Sequence, residues 1–303
     1  MLTAAIDAYL ALRRAAGFQL RVSEVLLRRF AEFAALHGET HVGAQHAIEW
    51  AGQAPSPHQR CRRLDIVRIF ARHARAEDAR HEVPPAQVFT RYRPPFLPFV
   101  FTPEQVRQLL VTAAQLRPAE SLRPWTYTTL FSLLAVTGLR ISEALALRIE
   151  DVTPDGLVIR NTKFRKSRLV PLHASSDTGL RSYLTRRSRV AGGCDHVFVS
   201  LRSQPLVYQT VNCVFLDLVR RIGLHPGAGH RGPRIHDLRH TFAVRALEAC
   251  PTDRLQVAAH MLALSTYMGH AKLVSTYWYL HATPHLLADI ADRCEDFARG
   301  DTP

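Results

Sequence analysis

The stretch Thr137-Gly138-Leu139-Arg140-Ile141-Ser142-Glu143-Ala144-Leu145-Ala146-Leu147 reads as a helix stop, a tight turn and the start of a second helix. Ser142 or a neighbour is expected to cap that second helix. The turn fixes Arg140 on a rigid corner. A guanidinium placed there can hold two oxygens of one anion through paired hydrogen bonds, which an ammonium cannot do in the same plane. Glu143, three residues on, shares the helical face of Arg140 and reads as a brace for the corner.

Outward from this corner, the chain is mostly helical. Its 303 residues favour two domains over one. Over the first eighty residues, four helices are expected. Ile6 and Leu10, then Val22, Leu26, Leu27, Phe30 and Phe33, recur at helical spacing, with Gly17 and Gly38 where helices stop. A third short helix carries Ile48 and Trp50, and a fourth begins at Pro57 and turns Leu64, Val67, Ile69 and Phe70 inward. Its other face is read as Arg60, Arg62, Arg63, Arg68, Arg72 and Arg75. Pro84, Pro85, Pro94, Pro95 and Pro98 crowd into one segment where neither helix nor central strand persists. The expected division is therefore 1–83, a linker over 84–100, and 101–303. The second part opens on Thr102-Pro103-Glu104, a helix cap followed by proline at the first helical position. Its one β element is a hairpin between Leu157 and Leu172, with Leu157 and Ile159 facing Leu169-Val170-Pro171-Leu172 across a basic turn.

Composition narrows the partner. A formal charge of +13 and a pI near 10.2 favour a polyanion. Five cysteines, none spaced C-x-x-C, give neither a disulfide framework nor a zinc knuckle. The apolar stretch around Leu130 to Leu139 is too short to span a bilayer, and Asp7 interrupts the N-terminal segment where a signal peptide would be apolar. A cytoplasmic protein without a membrane partner is expected.

Three further segments carry chemistry. The chain has only three lysines against 36 arginines, and Lys163 and Lys166 both sit in Arg160-Asn161-Thr162-Lys163-Phe164-Arg165-Lys166-Ser167-Arg168. Lysine in so arginine-rich a chain suggests a group that must lose a proton, which arginine does not do. His236-Asp237-Leu238-Arg239-His240 places His236, Arg239 and His240 on one helical stripe. A metal site there lacks the glutamate of H-E-x-x-H, and Arg239 between the histidines favours an anion over a cation. Near the end, Gly269-His270 closes a helix, and Tyr279 follows on the next one.

The order Arg140, Lys163, His236-x-x-Arg239, His270, Tyr279 resembles the tyrosine recombinase (phage integrase) family across both domains, through TGLRISEALAL, TKFRKSRLVPL, HDLRHTF, MGH and the terminal tyrosine. The resemblance implies a helical core-binding, SAM-like domain followed by the tyrosine-recombinase catalytic domain, the two closing on DNA as a clamp. It makes Arg140 and Arg239 the phosphate clamps and Tyr279 the nucleophile of a 3′-phosphotyrosyl bond. Lys163 becomes the acid on the 5′ oxygen, His236 a base or donor, His270 a second donor, and Glu143 and His240 supporting residues. It implies double-stranded DNA as partner, a homo-tetramer on two DNA sites joined by a Holliday junction, and no cofactor or metal, because cationic side chains supply the charge. Arg60, Arg62, Arg63, Arg68, Arg165 and Lys166 become DNA contacts. The Ser-Thr-Tyr-Trp-Tyr-Leu ending is similar to recombinases on bacterial mobile elements that encode several sister recombinases together. Two neighbouring readings share these residues: a type IB topoisomerase relaxing supercoils, and a DNA-binding regulator that keeps the fold without cleavage.

Overall fold

The computed structural model describes residues 2–90, 98–160, 167–190, 192–224, 232–250, 254–269, 295 and 299. The chain divides into two compact units, Met1–Phe96 and Leu97–Pro303.

The first unit is built from α1 (Leu2–Ala15), α2 (Arg21–Leu36), α3 (Ala44–Gly52) and α4 (Pro57–Glu77). Positive φ at Gly17 and Gly38 reverses the chain after α1 and α2, a conformation that costs glycine nothing. Ser56 accepts from the Gln59 N–H at 3.3 Å and starts α4 with Pro57 in the first turn. Ile6, Leu10, Leu27, Phe30, Trp50, Val67 and Phe70 close one core. Phe30 meets Trp50 edge-on with centroids 5.5 Å apart.

Two expected core positions lie outside that core. Val22 is 49% and Ile69 50% exposed. The buried line of α4 runs Leu64, Val67, Phe70 and Ala71, Ala74, and Ile69 projects from the opposite side of a 3.6-residue repeat. The same geometry corrects the arginine face. Arg60 and Arg63 lie on the core side and turn back to the end of α3 and the turn after it, where Arg63 Nη1 donates to the Trp50 carbonyl at 3.3 Å and Arg60 Nε to the Ala54 carbonyl at 2.9 Å. They give donors to carbonyls at and just beyond the helix end. Arg68 is held by Asp65 at 2.8 Å, while Arg62, Arg72 and Arg75 are exposed.

The second unit continues with α5 (Pro103–Ala114), α6 (Leu122–Thr137), α7 (Ile141–Ala146) and a 3-10 turn, Ile149–Asp151. Three short antiparallel strands follow in sheet order, β1 (Val152–Thr153), β2 (Gly156–Ile159) and β3 (Arg168–Val170). Then come α8 (Ala174–Ser188), α9 (Tyr208–Arg221), α10 (Ile235–Glu248) and α11 (Arg254–Met268). Thr102 and Gln105 form a reciprocal capping box at the start of α5. Helix α6 is the hub, packing against α5, α8 and α10, with Leu130, Phe131, Leu133 and Leu134 buried. Phe131 stacks edge-on against Phe215 of α9 at 5.6 Å.

The sheet positions one functional side chain. Leu157 pairs with Val170, Val158 with Leu169 and Ile159 with Arg168. Side chains alternate across a strand, so Arg168 shares the inward face of Ile159 and Val170 while Leu169 is 46% exposed. The hairpin tip over 161–166 lies outside the described residues. Gly156 has φ +130°, and a Cβ there would press into the Val170 carbonyl and approach Pro171 Cα to 2.8 Å. Gly156→Ala should lower the stability of the protein by about 2 kcal/mol or more, read as a fall in melting temperature; an unchanged melting temperature would show that the hairpin yields freely.

Candidate catalytic site

Three segments of the second unit begin the same way. Arg140-Ile141-Ser142-Glu143 opens α7, Arg148-Ile149-Glu150-Asp151 opens the 3-10 turn, and Arg234-Ile235-His236-Asp237 opens α10. In each, the acid three residues after the arginine accepts the arginine's N–H, at 3.0, 3.0 and 2.8 Å respectively. This is one half of a capping box, with a carboxylate against the positive end of a helix. Of the two expected candidates for the cap of α7, Ser142 or a neighbour, it is the neighbour Glu143 that serves, and Ser142 is exposed. The carboxylate cap wins because it also anchors the side chain of the same arginine, Arg140 Nη1 to Glu143 at 2.7 Å and Arg234 Nη2 to Asp237 at 2.9 Å.

Glu143 is saturated. Besides the two bonds from Arg140, it accepts Arg168 Nη1 at 3.1 Å and Nη2 at 2.9 Å, which fills the four acceptor positions of a carboxylate. Burial pushes its pKa up, but the bonds from Arg168, from the Arg140 N–H and from the Arg140 guanidinium outweigh this and hold it at about 2.

The end of α11 is where the arginines meet. A helix leaves its last carbonyls unpaired and carries partial negative charge there. Here the Tyr267 carbonyl accepts Arg168 Nε at 2.8 Å, Met268 accepts Arg239 Nη2 at 2.8 Å, and Gly269 accepts Arg140 Nη2 at 3.0 Å. Arg239 also donates through Nη1 to the Gly138 carbonyl at the end of α6, so two helix ends hold one guanidinium. Arg239 is only 2% exposed, and its Nη1 and Nη2 each meet a helix-end carbonyl, which offsets part of the cost of burying the cation. Both turns need glycine. Gly138 has φ +60° and its Cβ would strike the Phe242 ring; Gly269 has φ +66° and its Cβ would lie 2.7 Å from Arg168 Nη1.

On α10, His236 stands edge-on to His240 with ring centroids 4.6 Å apart. His236 keeps an accessible edge, yet the protein packed about its ring, and then the Arg239, Arg234 and Arg140 guanidiniums, push its pKa down to about 4. It is a neutral imidazole in a cationic pocket. Thr241 Oγ1 donates to the Asp237 carbonyl at 2.8 Å and accepts the Phe101 N–H at 2.9 Å, tying α10 to the start of the unit.

Thus Arg140, Glu143, His236, Arg239 and His240 occupy one region about the start of α10 and the ends of α6 and α11, whereas Lys163, Arg165, Lys166, His270 and Tyr279 lie outside the described residues. Gly269 is the residue before His270 in the sequence. Arg168 was missed as a site residue. The signal was available: two positions before Val170 on one strand, it had to face inward with Val170.

Among the described residues, two clusters elsewhere bring metal-ligand types together. His41, Asp78 and His81 have ligand atoms within 4.8 Å of one another. His81 Nδ1, however, accepts the Val42 N–H at 3.0 Å, which puts the proton of the neutral ring on Nε2 and leaves it no lone pair for a cation. In Cys194-Asp195-His196, His196 Nδ1 is taken by Asp195 at 2.9 Å.

The model of the phage integrase family matches residues 100–285. The chain is 38% identical over 304 residues to y4rB of Sinorhizobium fredii strain NGR234, described as an integrase/recombinase, covering 96% of each chain. Its fold is similar to the Tn1549 transposon integrase in complex with transposon right end DNA, with a TM-score of 0.67 at 19% identity, over 95% of this chain and 98% of that one. It is also similar to lambda integrase, seen as a tetramer bound to a Holliday junction, with a TM-score of 0.63 at 16% identity, over 92% and 76% of the two chains.

Glu143→Gln should destabilise the protein by about 3 kcal/mol, because two guanidiniums lose their shared counter-charge in a nearly closed site; chemical denaturation measures this, and a neutral result would mean the carboxylate is dispensable. In the free protein, the ring proton signals of His236 should titrate near 4 and not near the ordinary 6.5. Since the unfolded chain takes up that proton first, this group lowers native stability as pH falls from 6.5 toward 4. A midpoint at 6.5 would mean that neither the packing about the ring nor the guanidiniums act on it as described.

Proposed function

This chain belongs to the phage integrase family, the tyrosine recombinases that break and rejoin DNA, and on that premise we propose how its own residues perform the reaction. The observation that carries the assignment is the pair Arg140 and Arg239, held on the adjacent carbonyls of Gly269 and Met268. Rigid guanidiniums cost no reorganisation when charge builds on a phosphate, and such preorganised donors are the largest single contribution in many enzymes. Arg140 retains an accessible face at 29% side-chain exposure, so it meets the phosphate first.

In this reading the Tyr279 oxygen attacks the phosphorus and forms a 3′-phosphotyrosyl ester as the bond to the 5′ oxygen breaks. Lys163 protonates the departing 5′ oxygen. His236, unprotonated in the free protein, accepts the phenol proton once the negative phosphate beside it has raised its basicity. His270 donates to the phosphate, and Glu143 and His240 support the arginines. Reversal of these steps with a new 5′ hydroxyl rejoins the strand, and the ester conserves the bond energy so that no nucleotide cofactor is needed.

Residues 1–83 serve as the core-binding domain, with 84–100 as linker and 101–303 as the catalytic domain. The exposed Arg62, Arg72 and Arg75 of α4 are the phosphate contacts there. Arg60 and Arg63 support that helix from behind, and Arg165 and Lys166 contact DNA from the hairpin tip. We place the active assembly as a homo-tetramer on two DNA sites, with or without sister recombinases, by likeness to lambda integrase on its junction. Among the described residues no helix is long and apolar enough to cross a membrane, which suits a cytoplasmic enzyme on the chromosome or on a mobile element.

The test is covalent capture. A random-sequence library of nicked duplexes incubated with the protein should yield a denaturant-resistant adduct, lost in Tyr279→Phe and kept in Tyr277→Phe. Adduct formation that survives Tyr279→Phe would reassign the nucleophile, and none with the wild type would favour the DNA-binding regulator. Arg140→Ala should raise the cleavage barrier by about 2 to 4 kcal/mol.

A further inference from the structure

Five groups form a closed ring at the end of α11. Starting at the Tyr267 carbonyl, Arg168 Nε donates at 2.8 Å; its two Nη atoms grip Glu143 at 3.1 and 2.9 Å; Glu143 holds Arg140 Nη1 at 2.7 Å; and Arg140 Nη2 returns to the Gly269 carbonyl at 3.0 Å. The backbone through Met268 closes the circuit. Such a ring fixes where the Arg140 guanidinium stands relative to the chain entering His270. Arg168 is the member that spans the gap, since it alone touches both the Glu143 carboxylate and α11 from a third element, the sheet.

We propose that Arg168 is a positioning residue for strand cleavage, locking the Arg140 clamp and the Tyr267–Gly269 turn into one frame; this rests on the cleavage reading above. Three observations support a purpose beyond packing. Arg168 is nearly enclosed, with 11% of its side chain exposed, at the hairpin base five residues after Lys163 in the chain. Its fork meets Glu143 with two parallel bonds while Nε points elsewhere, a geometry that uses the planar guanidinium and that lysine cannot copy. Gly269 has no side chain where one would lie 2.7 Å from Nη1 and 2.9 Å from Cζ, so the turn is shaped around this arginine. The arginine touches no reacting atom in this scheme; it acts through Arg140 and the α11 turn.

The experiment uses the full chain and a nicked duplex recovered by wild-type covalent capture, which separates failure of this inference from failure of the cleavage reading. Arg168→Met, which keeps the apolar stem, should form adduct about 100-fold more slowly at saturating duplex, the loss expected from a misplacement near 1 Å. Duplex affinity should stay at the wild-type level, and Arg168→Lys should recover only part of the rate. A Met variant as fast as wild type overturns the proposal, as does a slow rate explained by weaker binding. If Arg168→Met does not fold, the Lys variant decides: folded, tight-binding and slow supports the proposal, folded and fast overturns it.

Discussion

The unpaired carbonyls at the end of α11 organise the site. A helix terminus demands donors, and here three arginines from three different elements supply them, one carbonyl each at Tyr267, Met268 and Gly269. Each arginine thereby gains a fixed anchor against the negative end of a helix dipole. Arg239 adds the end of α6 through Gly138, so the ends of two helices of the same unit, whose buried faces lie in different clusters, share a guanidinium. The constraint is mutual. The helix ends would be unsatisfied without the arginines, and the arginines would be costly buried charges without the helix ends.

Around this junction, charge is balanced locally. Glu143 neutralises Arg140 and Arg168 and caps α7; Asp237 neutralises Arg234 and caps α10. Burial of its ring first, and then the guanidiniums about it, keep His236 neutral. That is a suitable resting state for a site whose substrate is an anion, because the charge missing from the pocket arrives with the phosphate.

Much of the fold was legible along the chain. The first four helices, the capped start of α5 and the strands of the hairpin follow from spacing, turn residues and prolines, which are local properties. Local reasoning misjudged or left open three sets of side chains. It counted Ile69 as buried, because a run of apolar residues does not say which of them falls off the inner stripe. It set Arg60 and Arg63 among the DNA-contacting arginines on the outer face of α4, because the carbonyls that attract them, Trp50 near the end of α3 and Ala54 in the turn after it, lie in another segment. It left the cap of α7 between Ser142 and a neighbour, because serine is the common choice, and the R-I-x-[DE] device, repeated at Arg140, Arg148 and Arg234, uses the acid.

The residue types for phosphate chemistry and their order were written in the sequence alone, since they depend on side-chain identity and on short-range turns at Gly138 and Gly269. The sequence likewise carried the excess of positive charge that selects a polyanionic partner. Strand alternation turns Arg168 inward, but only the tertiary structure decided what it meets there, that Glu143 serves two cations at once, and that Arg140 and Arg239 rest on neighbouring carbonyls 129 and 29 residues away in the chain. Contacts at such separations arise from helix packing around α6, and a pattern with a period of two or 3.6 residues holds no record of them.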